Sequence, residues 1–193
     1  FIGVIFKRDL QYAAGQKYLT QANYPAAIRV FTQLGDFKQS AGLLQEAQYH
    51  YAKVLFETGD YYNAYLEFAQ LDTYQDSVDQ KNEAYYQYCL TLVEAQKTDE
   101  AIVGFTALGS YKDSVDQLHQ LQYQQANALV ASGDLLAGAN AYKALGNYQD
   151  ADKLHWTTLD RYLEQQGALP ASDYQAGLNE LYNGLLAYST DPD

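Results

Sequence analysis

Residues able to do acid–base, nucleophilic or metal chemistry are few in this chain. Three histidines, His50, His119 and His155, could each serve as a base or a metal ligand. They fall at unrelated places, none sits in a His-Glu-x-x-His string, and the single cysteine, Cys89, partners none of them. Paired acids at Asp76/Asp79 and Asp113/Asp116 could bind Ca²⁺, but the Asp-x-Asp-x-Asp-Gly loop spacing is missing. Gly35, Gly109 and Gly146 belong to no Gly-x-Gly-x-x-Gly or Gly-Lys-Ser/Thr string, so no phosphate loop is indicated. No catalytic group, metal site or cofactor is nominated, and the chain is not expected to be an enzyme.

Tyrosine is the abundant functional side chain, with 20 Tyr against 7 Phe and 1 Trp. Tyr covers apolar surface while its hydroxyl seeks a partner. Tyr12, Tyr49, Tyr86 and Tyr123 are separated by equal steps of 37. Glu46 and Glu83 each lie three residues before a member of that series, and Gln120 before Tyr123. Two readings stand open. The tyrosines could form rungs of a groove, flanked by acids, that holds an extended peptide. Alternatively, they pack between repeats with their hydroxyls bonded to turns.

The spacing demands elements that position it. Leu34, Leu71, Leu108 and Leu145 keep the same step, each opening a Leu-x-x-aromatic phrase, as in Leu34-Gly35-Asp36-Phe37 and Leu145-Gly146-Asn147-Tyr148. Phe31, Phe68, Phe105 and Tyr142 form another series, and Ala27, Ala64, Ala101 and Gly138 a further one. A fixed period of this size marks stacked supersecondary units. Within one unit, Tyr85, Cys89, Leu92 and Val93 recur at helical spacing. Ser77 with Gln80, and Ser114 with Gln117, read as capping boxes opening long helices. Gly59-Asp60 and Gly133-Asp134 read as a helix stop followed by the next N-cap. Long helices are predicted at about 7–22, 40–58, 77–95, 114–132 and 151–166, and short ones at about 24–34, 61–71, 98–108 and 135–145. A linker at Leu169-Pro170-Ala171 and a capping helix over about 173–188 follow, with Trp156 packed against that helix.

The string Ala52, Gly59, Tyr61, Ala64, Phe68 resembles the tetratricopeptide repeat. Cys89, Ala101 and Phe105 keep part of it, as do Ala126, Gly133, Leu135 and Tyr142, and Ala22, Tyr24, Ala27 and Phe31. Two features depart from that family. The unit is 37 residues rather than about 34, and a Leu-Gly-x-Tyr-x-Asp-Ser turn replaces the closing proline. This longer variant resembles repeats of gut Firmicutes proteins. The resemblance implies an all-α, right-handed superhelical solenoid with a C-terminal capping helix. It also implies a non-catalytic scaffold whose concave groove binds protein or peptide; a structural spacer or self-association module is the alternative. On this reading residues 7–166 form the array, about four repeats plus an extra helix, and 167–193 the linker and cap.

Charge narrows the partner. The formal net charge is −12, from 24 acids and 12 bases, which disfavours nucleic acid and favours a neutral or basic protein or peptide. Residues 1–38 run against the trend, with five bases and two acids. The chain opens on Phe1-Ile2-Gly3-Val4-Ile5-Phe6, followed by Lys7-Arg8, and contains no Met. It reads as a processed or truncated piece. Residues 1–6 are then either the end of a membrane segment or an N-terminal cap, because a span needs roughly 20 apolar residues. With the resemblance to membrane-tethered repeat proteins, the expectation is a tether upstream of Phe1 and a place in a bacterial cell envelope.

Overall fold

The computed structural model describes residues 2–167, 176–177 and 179–184, with side chains from residue 6 onward. Helices are α1 (Ile2–Thr20), α2 (Tyr24–Leu34), α3 (Ser40–Glu57), α4 (Tyr61–Ala69), α5 (Ser77–Glu94), α6 (Thr98–Leu108), α7 (Ser114–Ala131), α8 (Leu135–Leu145) and α9 (Ala151–Gln165). No strand occurs among the described residues. Long and short helices alternate in the predicted register. The apolar run at the N-terminus continues directly into α1, and no described helix is long and apolar enough to cross a membrane.

The helices pack as two compact units, Phe1–Tyr111 and Lys112–Asp193. In the first, each of α1 to α6 packs on its chain neighbours, and α1 also touches α3. In the second, α8 packs on both α7 and α9. Successive helix–turn–helix packing of this kind is the arrangement of a helical repeat. The period-locked residues form its core. Phe31, Phe68, Phe105, Leu34, Leu71 and Leu145 are buried, as are Ala27, Ala64 and Ala101. Leu108, at the end of the last helix of its unit, is half-buried.

Turn chemistry sets the helix ends. After α2, α6 and α8, Gly35, Gly109 and Gly146 adopt φ 55 to 57° with ψ −124 to −125°. A side chain is strained there, so glycine is the residue that lets these helices run to the leucine. The fourth member of the series is Asp72. There α4 stops at Ala69, two residues short of the predicted Leu71, and the chain continues as turn.

The capping boxes predicted at Ser77 and Ser114 are not what forms. Each serine is the first helical residue and is fully buried. Ser40 and Ser77 donate instead to the turn carbonyls of Phe37, at 2.6 Å, and of Tyr74. Gln80 and Gln117 donate their amides to the side chains of Asp76 and Asp113, each at 3.0 Å. At Ser40 and Ser77 the buried hydroxyl thus closes the turn behind it, and Asp76 accepts from Tyr49 as well as from Gln80.

Residues 176–177 and 179–184 are helical too. Gly177 faces Leu163, and a Cβ on Gly184 would overlap the Trp156 indole, so Trp156 packs against this helix as predicted. Lys143 Nζ meets Glu180 Oε1 at 2.6 Å across the same junction. Tyr174, Leu178, Leu185 and Leu186 of the predicted capping helix lie outside the described residues.

Candidate functional site

The tyrosine series is the centre of an aromatic triad repeated in every unit. Tyr49 sits edge-on to Phe68 and to Tyr74, with ring centroids 6.0 and 5.7 Å away. Tyr12 meets Phe31 and Phe37 in the same way, both at 6.2 Å. Tyr86 meets Phe105 at 6.1 Å and Tyr111 at 6.0 Å. Tyr123 meets Tyr142 at 5.8 Å and Tyr148 at 6.1 Å. Edge-to-face pairs at these separations add stabilisation beyond their burial. The long helix supplies the first ring, the short helix the second, and the Leu-x-x-aromatic turn the third. The turn aromatic is thereby pinned over the helix pair that precedes it.

Burial follows from this packing. Tyr12, Tyr49 and Tyr86 are 9%, 6% and 8% exposed, and Tyr123 is half-buried. That geometry fits the packing reading of the series, in which the hydroxyls reach the next turn. Tyr49 Oη donates to Asp76 Oδ1 at 2.6 Å, and Tyr123 Oη donates to Asp150 Oδ1. Asp76 and Asp150 are the residues just before α5 and α9. The bond to Asp76, then burial, pushes the Tyr49 phenol up to about 12. The bond to Asp150 leads the same rise to about 12 at Tyr123. Asp76 is held below the ordinary carboxyl value, first by the Tyr49 hydroxyl and then by the Gln80 amide.

Glu83 and Gln120 mark a second repeated link. Glu83 Oε2 accepts from Tyr111 Oη at 2.7 Å, and its other oxygen accepts from the Gln87 amide at 3.0 Å. Gln120, at the same register, accepts from Tyr148 Oη at 3.0 Å. In the first unit the turn aromatic is Phe37, which has no hydroxyl, and the acid at this register is Asp9. Lys38 fills the gap, with Nζ 2.6 Å from Asp9 Oδ1. Glu46 is half-buried. Burial, followed by the bond to Glu83, raises Tyr111 to about 12. One further match is local: Tyr142 replaces the Phe of the other units, and its hydroxyl donates to Asn127 Oδ1 at 2.5 Å.

An expected pH response follows. A phenol whose folded pKa is raised contributes stability that is complete below the ordinary tyrosine value of 10 and is lost as pH rises through the folded value. Phenolate absorbance should show a late group at about 12, made of Tyr49, Tyr111 and Tyr123. Tyr49→Phe should remove one phenol from the late group. It should also cost about 1 kcal/mol in a denaturant melt, because exposed Asp76 regains water. A single titration step with no late group would contradict this assignment.

The remaining candidates are dispersed. His50 stacks on Tyr24 at 5.6 Å, and His119 lies edge-on to Tyr148 at 5.3 Å. His155 is 3% exposed. Its Nδ1 lies 2.9 Å from the Ala139 carbonyl, which can only accept, so the ring ties α9 to α8. Cys89 is fully buried, as its register among Ala52 and Ala126 predicts, and burial pushes its thiol up to about 11. Among the described residues, no three His, Cys, Asp or Glu gather closely enough to hold a metal ion.

A different cluster breaks the period. Tyr62 and Tyr65 of α4 stand against Tyr88 and Tyr85 of α5, with Tyr62–Tyr88 centroids at 4.8 Å and Tyr65–Tyr85 at 4.6 Å. One repeat earlier these positions hold Pro25, Ile28, Tyr51 and Gln48, and one repeat later Asp99, Ile102, Gln125 and Gln122. The repeat fold therefore does not require four tyrosines here. Tyr62 is 45% exposed, and the other three are half-buried. The signal was present in the sequence as departures from the 37-residue period, but only the matching positions attract notice when a repeat is sought. No family model matches the chain, and no curated protein matches it.

Proposed function

We propose that this chain is a non-catalytic scaffold of the tetratricopeptide-like superhelical type, with a terminal helix capping the array, that binds a neutral or basic protein segment. The supporting observation is the division of labour among its tyrosines. The period-locked rings are consumed by core triads and turn hydrogen bonds, whereas Tyr62, Tyr65, Tyr85 and Tyr88 present aromatic surface that the fold does not need. Tyrosine offers contact area at low entropic cost and is favoured at recognition surfaces. The net charge of −12 selects against acidic partners. The test is retention of arrayed peptides of graded charge by the whole chain. Neutral and basic segments should be retained and acidic ones not. Retention of none, together with a scattering mass that rises with protein concentration, would favour a self-association module instead.

A further inference from the structure

We propose that Tyr62 and Tyr88, backed by Tyr65 and Tyr85, form a stacking platform for an arginine side chain of an extended, basic partner segment. The inference rests on the scaffold reading and names the chemistry of its partner.

Three observations carry it. The first is shape. Two tilted ring pairs, at 4.8 and 4.6 Å, are joined by Tyr85–Tyr88 and Tyr62–Tyr65 contacts at 6.2 and 6.3 Å, so the four rings form one continuous patch. Exposed Leu66 lies one helical turn beyond Tyr62 and extends the patch with apolar surface. The patch sits wholly on α4 and α5, within one compact unit. The second is electrostatic. Burial raises the Tyr85 phenol first, and the neighbouring groups that add to it are Cys89 and the other three tyrosines. No carboxylate is among those groups, and the chain as a whole is strongly acidic, a setting that draws a cation without pinning it to one carboxylate. The third is precedent within the molecule. Arg8 Cζ lies 4.4 Å from the Phe37 centroid, Lys38 Nζ 5.1 Å from that of Tyr12, and Lys53 Nζ 5.7 Å from that of Tyr49. The chain covers aromatic faces with its own cations in its first two repeats. Among the described residues, no Lys or Arg of the chain is seated over the four-tyrosine patch.

Arginine is preferred over lysine because a planar, weakly hydrated guanidinium stacks on a ring, whereas an ammonium keeps its water. That preference separates stacking from simple attraction to an acidic protein.

The experiment titrates the whole chain with dye-labelled peptides built from repeated Gly-Ser-Arg, Gly-Ser-Lys or Gly-Ser-citrulline. The Arg peptide should bind about fivefold tighter than the Lys peptide of equal charge, and the uncharged citrulline peptide should bind least. Tyr62→Ala with Tyr88→Ala should reduce Arg-peptide affinity to the Lys-peptide level. Tyr62→Phe with Tyr88→Phe keeps both ring faces and should preserve the preference. Should the double alanine variant lose its helical signal, exposed Tyr62→Ser alone is the substitute, with a smaller loss of the same sign. Equal binding of Arg and Lys peptides, unchanged by loss of Tyr62 and Tyr88, overturns the platform. If arrayed neutral or basic segments are still retained in that case, the scaffold reading survives; if none is retained, both fail.

Discussion

Phe105→Ala should lower the stability of the first unit by about 3–5 kcal/mol, the usual loss for emptying a fully buried phenylalanine site. Phe105 has no exposed surface and stands edge-on to Tyr86. Truncation removes the transfer free energy of the ring and leaves a cavity between α5 and α6. It also removes one arm of the triad, so Tyr86 loses an edge-to-face partner. Tyr86 cannot tilt freely into the space, because Tyr111 holds its other side at 6.0 Å. The site collapses poorly, which favours the upper end of the range. Hydrogen exchange should locate the weakened protection in α5 and α6, since repeat units are held mainly by their neighbours. Phe105→Leu keeps most of the volume and should lose much less. A loss for Phe105→Ala below about 1 kcal/mol, within the range of ordinary surface changes and small trims, would show that the triad is not a keystone of the unit.

The architecture was legible because one period organises both local and long-range structure. The leucine, phenylalanine and alanine series mark the buried face of successive helices, and the glycine after three of the four leucines marks the stop. The largest departures from the predicted bounds are at α1, which begins five residues earlier and ends two earlier than expected, and at the end of α4, two residues short, where Asp72 stands for that glycine. Polar details were less legible. The pattern Ser-x-x-Gln is shared by a capping box and by the arrangement found here, in which Ser77 turns back to the Tyr74 carbonyl and Gln80 supports Asp76. Only the direction of one hydroxyl separates them, and spacing does not encode that direction.

Site residues were legible in part for a related reason. Regular recurrence brought out Tyr12, Tyr49, Tyr86 and Tyr123, but recurrence is also what a fold imposes on its core. The edge-to-face triads account for their periodicity without a ligand. Residues serving a single partner are expected where the repeat is broken, because stacking does not require the same side chain twice. Tyr62, Tyr65, Tyr85 and Tyr88 meet that criterion. The burial of His155 was not legible, because it depends on the α8 carbonyl opposite the ring, a tertiary fact with no local signature.

Gly104→Ala should destabilise the chain alone but become neutral or favourable when combined with Cys89→Ala. Glycine inside a helix ordinarily costs about 1 kcal/mol relative to alanine, so this replacement in mid-α6 would be stabilising on propensity alone. Space decides otherwise. A Cβ on Gly104 would overlap Cys89 Sγ and come within 3.7 Å of Cys89 Cβ and of Tyr85 Oη. Both residues are buried, and the cysteine side chain is too short to withdraw its sulfur far. Overpacking of this kind costs about 1–3 kcal/mol, enough to cancel the propensity gain and leave a net loss. The repeat supports the pairing. At the register of Cys89 and Gly104 the other units hold Gly15 with Val30, Ala52 with Glu67, and Ala126 with Ala141. The contact is real in the first unit, where a Cβ on Gly15 would meet Val30 Cγ1 at 3.1 Å. The largest residue of the long-helix series, Cys89, thus faces the smallest of the short-helix series. Cys89→Ala restores the Ala–Ala pairing of Ala126 with Ala141, so the double variant should recover the helix propensity that Gly104 forgoes. The double-mutant cycle should show a coupling of about 1–3 kcal/mol, read from denaturant melts of the four proteins. If Gly104→Ala alone raises the melting temperature, the sulfur swings aside at little cost, and Gly104 is not there to make room for it.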